Sequence, residues 1–308
     1  MPQLRLMAAA GTARTPEQLE KIVQSEAVKD VTGGSLTHPS RSGNEGKTFD
    51  PAGINSIGMP NAGKEGAPET ISRMQHIAEK AGKEFRLSVA ADNAEQLQEM
   101  AAIAQERKVT LCEINYGCPN VLDAGHQDIW SFSPERMLES IHYIRREYRG
   151  RLAFKMSLFS NPSDLVRVAH MLEVVVSDPQ LTLGEQIELV LSNTFAKGLL
   201  YKIDENTSLP AKPLIDPDGG LGGVSGKCIL PMVLGNKESF FRILGNKVRY
   251  IMVGGIEDGA SLAQHVCAGG DAFQINTAYY KNADPRIFSE ILEDFAVKYP
   301  RLAEPYLS

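Results

Sequence analysis

In EINYGCPN, residues 113–120, Asn115 is a polar side chain within an otherwise apolar strand end, and Cys118-Pro119-Asn120 opens a loop. A partly exposed thiol there can take and return a proton near neutral pH. The plainer alternative for Cys118 is a small buried hydrophobe, the ordinary fate of a reduced cysteine. GINSIGMPN, residues 53–61, adds Asn55, which offers both donor and acceptor, and Gly58, which permits close backbone approach by a ligand; an ordinary surface turn uses the same residue types. LSNTF, residues 191–195, brings Ser192, Asn193 and Thr194. Three asparagine-bearing ends would suit a planar, amide-rich heterocycle whose N–H and C=O groups need matched partners, and a sugar could use them too. Lys155 lies in LAFKMS between Phe154 and Met156, where a lysine aimed inward is costly unless it meets an anion or an acceptor.

A second kind of chemistry is written in the last quarter of the chain. GLGGVSGK (220–227), MVGGIEDG (252–259) and QINTA (274–278) are Gly-rich or turn-like segments whose backbone N–H groups can cradle a phosphate. One such cluster is usually only a turn, whereas the ordered set after late strands matches where barrels commonly hold phosphate. A GxGxxG fingerprint after the first strand is absent.

These residues need elements that converge on one rim. Eight β-rich runs occur: LRLMAA (4–9), VKDVTG (28–33), FRLSVA (85–90), LCEINY (111–116), LAFKMS (152–157), IELVLS (187–192), RYIMVG (249–254) and AFQIN (272–276). Helical spacing fills most gaps, as in Thr15 to Ala27 with its capping-box start, Asn93 to Lys108, Pro134 to Tyr148 and Pro285 to Lys298. The alternation predicts parallel strands with right-handed crossovers. The count of eight, with unusual polar or Gly-rich sequence after nearly every run, predicts an α/β fold closed as a (β/α)8 TIM barrel. The stretches 34–70 and 194–232 read as elaborated loops over the C-terminal face of the strands, all within a single domain spanning 1–308.

A net charge of −6 without any basic block argues against nucleic acid as a partner. Cys112, Cys118, Cys228 and Cys267 have no CxxC spacing, which suits reduced thiols in a cytoplasmic compartment and provides no iron–sulfur or other metal cluster. The apolar patch near the N-terminus is too short for a membrane span and reads as the first strand.

Taken in order, INSIGMPN, EINYGCPN, the Lys155 strand, SNTF, GGLGGVSGKCILP and VGGIEDGASLAQHVCAGGDAFQINTA resemble the dihydroorotate dehydrogenases, most closely their soluble class 1A branch. The resemblance covers nearly the whole chain from Ala8 onward, and it implies FMN at the barrel mouth. The FMN phosphate would rest on the amides of Ser225-Gly226, Gly254-Gly255 and Asn276-Thr277. Ala9, Ala10, Gly11, Gly34, Ser35, Asn115 and Ser192 would complete the cofactor site, and Lys155 would stand beside the flavin N1/C2 carbonyl. Cys118 would take the C5 proton of dihydroorotate while hydride passes from C6 to flavin N5. Asn55, Asn115, Asn120, Asn193 and Thr194 would hold the pyrimidine ring, and the backbone of Ile57, Gly58 and Met59 its carboxylate. Fumarate as oxidant and a homodimer are further implications.

The match departs from the family at one charged position. Class 1A members carry a lysine before the serine of a TKS segment after strand two, where this chain reads Thr32-Gly33-Gly34-Ser35. Class 2 members place a lysine three residues after the first-strand AAG, where this chain has Arg14. Arg14 is therefore a candidate substrate-side cation or a solvated residue at the helix start, and the gap at Gly33-Gly34 leaves another dihydropyrimidine or cyclic C–C bond as an alternative substrate. Arg41 also matches a family arginine near the active-site loop, and His126 lies in the loop after Cys118, where exposure is the simpler reading.

Overall fold

The computed structural model describes residues 4–118, 129–204, 206–207 and 209–307. The strands are β1 (Leu6–Ala13), β2 (Val28–Thr37), β3 (Phe49–Asp50), β4 (Ile54–Asn55), β5 (Glu84–Ala90), β6 (Leu111–Asn115) and β7 (Arg151–Met156). They continue with β8 (Glu188–Leu191), β9 (Phe195–Gly198), β10 (Tyr201–Ile203), β11 (Pro210–Pro213), β12 (Gly222–Val224), β13 (Arg249–Val253) and β14 (Ala272–Ile275). Eight of them close a barrel in the order β1-β14-β13-β8-β7-β6-β5-β2. β1 pairs in parallel with both β2 and β14, so the ring has no open edge. Each of the eight expected runs supplies one of its strands.

Alternation along the strands sorts the side chains. Leu152, Phe154 and Met156 of β7 face the helices, while Ala153 joins Met7, Ala9, Leu111, Val190, Ile251, Val253 and Ala272 in a separate interior cluster. Lys155 and Glu113 share the interior parity, as do Asn115 two residues after Glu113 and Arg86 on β5. The barrel floor is charged: Arg86 Nη2 reaches Glu188 Oε2 at 2.6 Å, and Arg151 and Arg249 reach Glu188 Oε1 at 2.6 and 3.1 Å. Burial alone would raise the Glu188 carboxyl, but the Arg86, Arg249 and Arg151 guanidinium groups hold it below the ordinary carboxylate value. Although the Lys and Arg residues look scattered in sequence, closure of the barrel gathers these ones.

Outside the barrel, helices cover the strands. The Thr15 capping box forms as expected, with Thr15 Oγ1 accepting from the Gln18 amide. That helix, Pro16–Ile22, stops short of Ala27 because β2 starts at Val28 and the intervening residues must turn back to the sheet. The loop expectations for 34–70 and 194–232 need correction. β2 runs on to Thr37, and an 18-residue helix, Gly63–Lys80, starts inside the first stretch behind its Gly and Pro residues. The second ends in the helix Leu230–Leu244. Between these ends, β3, β4, β12 and β9 form an antiparallel four-stranded sheet, and β10 and β11 form a hairpin. Gly223 on β12 lies opposite Asn55 on β4, so the two long insertions are tied together. Among the described residues, no helix is long and apolar enough to cross a membrane.

Candidate active site

The C-terminal ends of the barrel strands open into a cleft of about 1050 Å³, its mouth included. Its wall brings together Ala10, Gly11, Arg14, Ser35, Asn55, Ile57, Gly58, Met59, Asn115, Cys118, Lys155, Ser192, Asn193, Thr194, Ser225, Gly254, Gly255, Asn276 and Thr277, all singled out from sequence. Ala9 is not on that wall: it is packed inside the barrel with Met7 and Leu111. Gly34 and Gly226 lie behind it, and Asn120 and His126 fall outside the described residues. Arg41 also stays off the wall, where its Nη2 lies 3.1 Å from Asp92.

The polar wall is ordered by a chain of hydrogen bonds across strand ends. Asn193 Nδ2 donates to Asn115 Oδ1 at 2.7 Å, Asn115 Nδ2 donates to Ser35 Oγ at 2.9 Å, and Ser35 Oγ shares a proton with Ser88 Oγ at 2.8 Å. Gly117 makes this approach possible, since a Cβ there would stand 2.5 Å from the Ser157 backbone nitrogen. Cys118, one residue on, is half-buried on the cavity wall, whereas burial pushes the Cys112 thiol up to about 12 and out of acid/base use.

The missing lysine of the second strand has a backbone explanation. Gly34 has a φ of +107°, and a Cβ on it would sit 2.5 Å from the Ser88 carbonyl oxygen and 2.8 Å from the Leu36 nitrogen. No side chain fits there. Arg14 instead extends to the cavity from the end of the first strand, its guanidinium carbon 5.9 Å from the centre of the Tyr280 ring, which packs on Phe49 at 5.4 Å. Among the described residues, no carboxylate lies within ion-pair distance of Arg14. Two cations, Arg14 and Lys155, therefore line the described wall.

At the opposite side, Gly254 and Gly255 have φ of +116° and +82°, and a Cβ on Gly255 would stand 2.8 Å from Leu230 Cβ. This glycine pair turns backbone toward the cavity, as an anion cradle requires. His265 Nε2 lies 3.0 Å from the Gly254 carbonyl oxygen and holds that turn from behind. Burial pushes this imidazole down to about 4 against the opposing pull of the carbonyl, so it is neutral in the folded protein. Because its unfolded value is the ordinary 6.5, the unfolded chain binds more protons between those limits, and the stability from His265 is present above 6.5 and lost as pH falls toward 4. Between about pH 7 and pH 5 the loss is expected to be about 2 kcal/mol, read from urea midpoints. His265→Leu should flatten the curve by that amount; an equal slope in both proteins would refute it.

Sequence reasoning missed several wall residues: Phe49, Tyr280, Ile229, Val253, Ile256 and Gln274. Gln274 and Val253 were legible by parity, being two residues before Asn276 and next to Gly254 on strands already recognised. Nothing in the spacing pointed to Phe49 or Tyr280. A flat, polar-edged group fits this cavity, because two buried oxygens of wall residues, Gln274 Oε1 and Thr194 Oγ1, have no hydrogen-bond partner among the described residues, Ile229, Val253 and Ile256 supply apolar surface, and Lys155 offers a cation. The flat, polar-edged ring of FMN meets those demands.

A closed (β/α)8 barrel whose strand ends carry a cleft with amides, a thiol, two cations and a glycine cradle defines a cofactor-using barrel enzyme. The family model described as dihydroorotate dehydrogenase matches residues 4–298, and the chain belongs to that family. It is accordingly an oxidoreductase acting on CH–CH donors, of a flavin-dependent family. It is 28% identical over 284 residues, 91% of this chain and 85% of the other, to "Dihydroorotate dehydrogenase A (fumarate)" of Lactococcus lactis subsp. lactis (strain IL1403). A relative from Streptococcus equi subsp. equi (strain 4047) is also 28% identical, over 297 residues covering 94% and 87% of the two chains. The Eimeria tenella structure titled as DHODH in complex with ferulenol superposes with a TM-score of 0.72 at 15% identity, covering 96% of this chain and 81% of that one, which is a likeness of fold.

Proposed function

We propose that this chain oxidises dihydroorotate to orotate with bound FMN, Cys118 acting as the base. The observation that carries this reading is the meeting of Cys118, Lys155 and Asn55, Asn115 and Asn193 on one cavity wall that also holds Gly254 and Gly255. When bound, FMN supplies the two-electron acceptor at its N5. Asn55, Asn115, Asn193 and Thr194 hold the pyrimidine amides in plane, and the chain from Asn193 through Asn115 to Ser35 and Ser88 fixes the orientation of those two asparagines before substrate arrives. Lys155 would place positive charge beside the cofactor ring, the backbone at Ser225, Gly254-Gly255 and Asn276-Thr277 would receive its phosphate, and Cys118 takes the C5 proton. Arg14 grips the substrate carboxylate, in place of the lysine that Gly34 cannot carry.

Fumarate, which the names of both relatives carry, is the proposed oxidant. Self-association as a homodimer is supported by the exposed apolar residues Leu199, Leu200, Tyr201, Ile203 and Leu209 around the β10–β11 hairpin, and light scattering would read it as twice the chain mass. Titrating the purified protein anaerobically with dihydroorotate is expected to bleach a yellow flavin band, and fumarate should restore it. A yellow protein unbleached by millimolar dihydroorotate would favour the second reading, a flavin enzyme for another dihydropyrimidine or cyclic C–C bond, for which the closed lysine position at Gly34 is the motivating observation.

A further inference from the structure

Behind the cavity wall lies a carboxylate with no role in holding substrate. Glu113 is fully buried on β6, inside the barrel, and does not line the cavity. Its Oε2 accepts from Gln274 Nε2 at 2.8 Å, and its Oε1 stands 3.7 Å from Lys155 Nζ with no hydrogen-bond partner among the described residues. Gln274 and Lys155 both reach the wall, so the acid is tied to the cavity through two residues that do. A buried charge of this kind is costly, since its desolvation is repaid only by a close counter-charge, and the carboxylate is not needed to close the barrel. Leu111 and Ala153, at neighbouring interior positions, show that apolar side chains serve as well there.

We infer that Glu113 is a positioning residue that sets the charge Lys155 presents to the cofactor. This inference rests on the flavin reading above. Lys155 alone at the inner end of the cleft would stabilise negative charge on the reduced ring, raising its affinity for electrons. A carboxylate on the far side of the ammonium subtracts from that field and keeps the ammonium drawn to the wall. A bound flavin would thereby be held at a lower potential than Lys155 by itself would set. Gln274 completes the device, because its amide spends its donor on Glu113 and so ties the carboxylate to a residue of the cavity wall.

The test is the flavin midpoint potential, measured by anaerobic reduction beside a reference dye. Glu113→Gln preserves shape and can still meet Gln274 while removing the charge. A unit charge about 10 Å from another at an effective dielectric of about 20 is worth roughly tenfold in an equilibrium. The expected result is therefore a positive shift of about 30 mV, the two-electron equivalent of a tenfold tighter hold on the reduced form. Lys155→Met should move the potential the opposite way. Glu113→Asp, which keeps the charge but withdraws it by one methylene, should fall between wild type and Glu113→Gln, and it carries the test if the Gln variant does not fold. A flavin-bearing wild type whose potential is unmoved in the Gln variant, or in the Asp variant where that alone folds, overturns this inference and leaves the proposed function standing. A wild-type protein that binds no flavin overturns both.

Discussion

Cys118→Ser is expected to lower turnover by about 10²- to 10⁴-fold at neutral pH, the range that a positioned acid or base contributes. Serine preserves the size of the side chain on a wall where Cys118 is half-buried beside Asn115, Lys155 and Asn193, so cofactor and substrate should still bind. The hydroxyl is a far weaker acid than the thiol and is present as the anion far less at any working pH, which makes it a poor acceptor for the C5 proton. Residual activity of the variant should climb with pH beyond the point where wild type levels off. The checks are the pH profile of kcat together with the visible spectrum. Wild-type turnover in a variant of unchanged spectrum would remove Cys118 from the mechanism.

Arg14→Met is expected to raise KM for dihydroorotate by about 10- to 100-fold with a smaller change in kcat. Hydrogen bonds to a charged group contribute about 1.5–3 kcal/mol, and each 1.4 kcal/mol is tenfold in affinity. Methionine keeps an unbranched side chain of similar reach but removes the guanidinium that lies over the Tyr280 ring. Arg14→Lys should recover part of the affinity, since an ammonium supplies charge without the planar fork. The effect depends on substrate charge: an analogue in which the carboxylate is replaced by an uncharged amide should discriminate poorly between wild type and Arg14→Met. Equal KM values for dihydroorotate in the two proteins would show that the carboxylate is held elsewhere, and the Gly34 position could not be that place without a shift of backbone.

Much of this protein was legible along the chain because a barrel repeats a local rule. Eight apolar runs, most of them separated by helical spacing, declared the closed sheet, and the polar or glycine-rich residues after nearly every run declared which rim bears function. Cys118, Lys155 and the asparagines at 55, 115 and 193 were legible for the same reason, each standing at a strand end or loop where a solely structural residue would be apolar or small. The helix Gly63–Lys80 was hidden because its first turns carry Gly63, Gly66 and Pro68, residues that usually mark loops. The sheet joining β4 to β12 pairs strands of two and three residues from distant insertions, too short for any periodicity to register.

What sequence by itself determined was the set of side chains, the strand parity that aims them, and the absence of a lysine after strand two. Only the tertiary structure decided that Arg14 ends on the cavity wall, that Phe49 and Tyr280 pack beside it, and that Glu113 stands behind Lys155 with Gln274 bridging to it. The physical reason is closure: spacing along a strand fixes whether a residue points inward, but which inward residue meets which is set by the stagger between strands when the ring shuts. The same closure brings the Ser88 carbonyl against Gly34, which turns a missing lysine from a difference in sequence into a position where no side chain can stand.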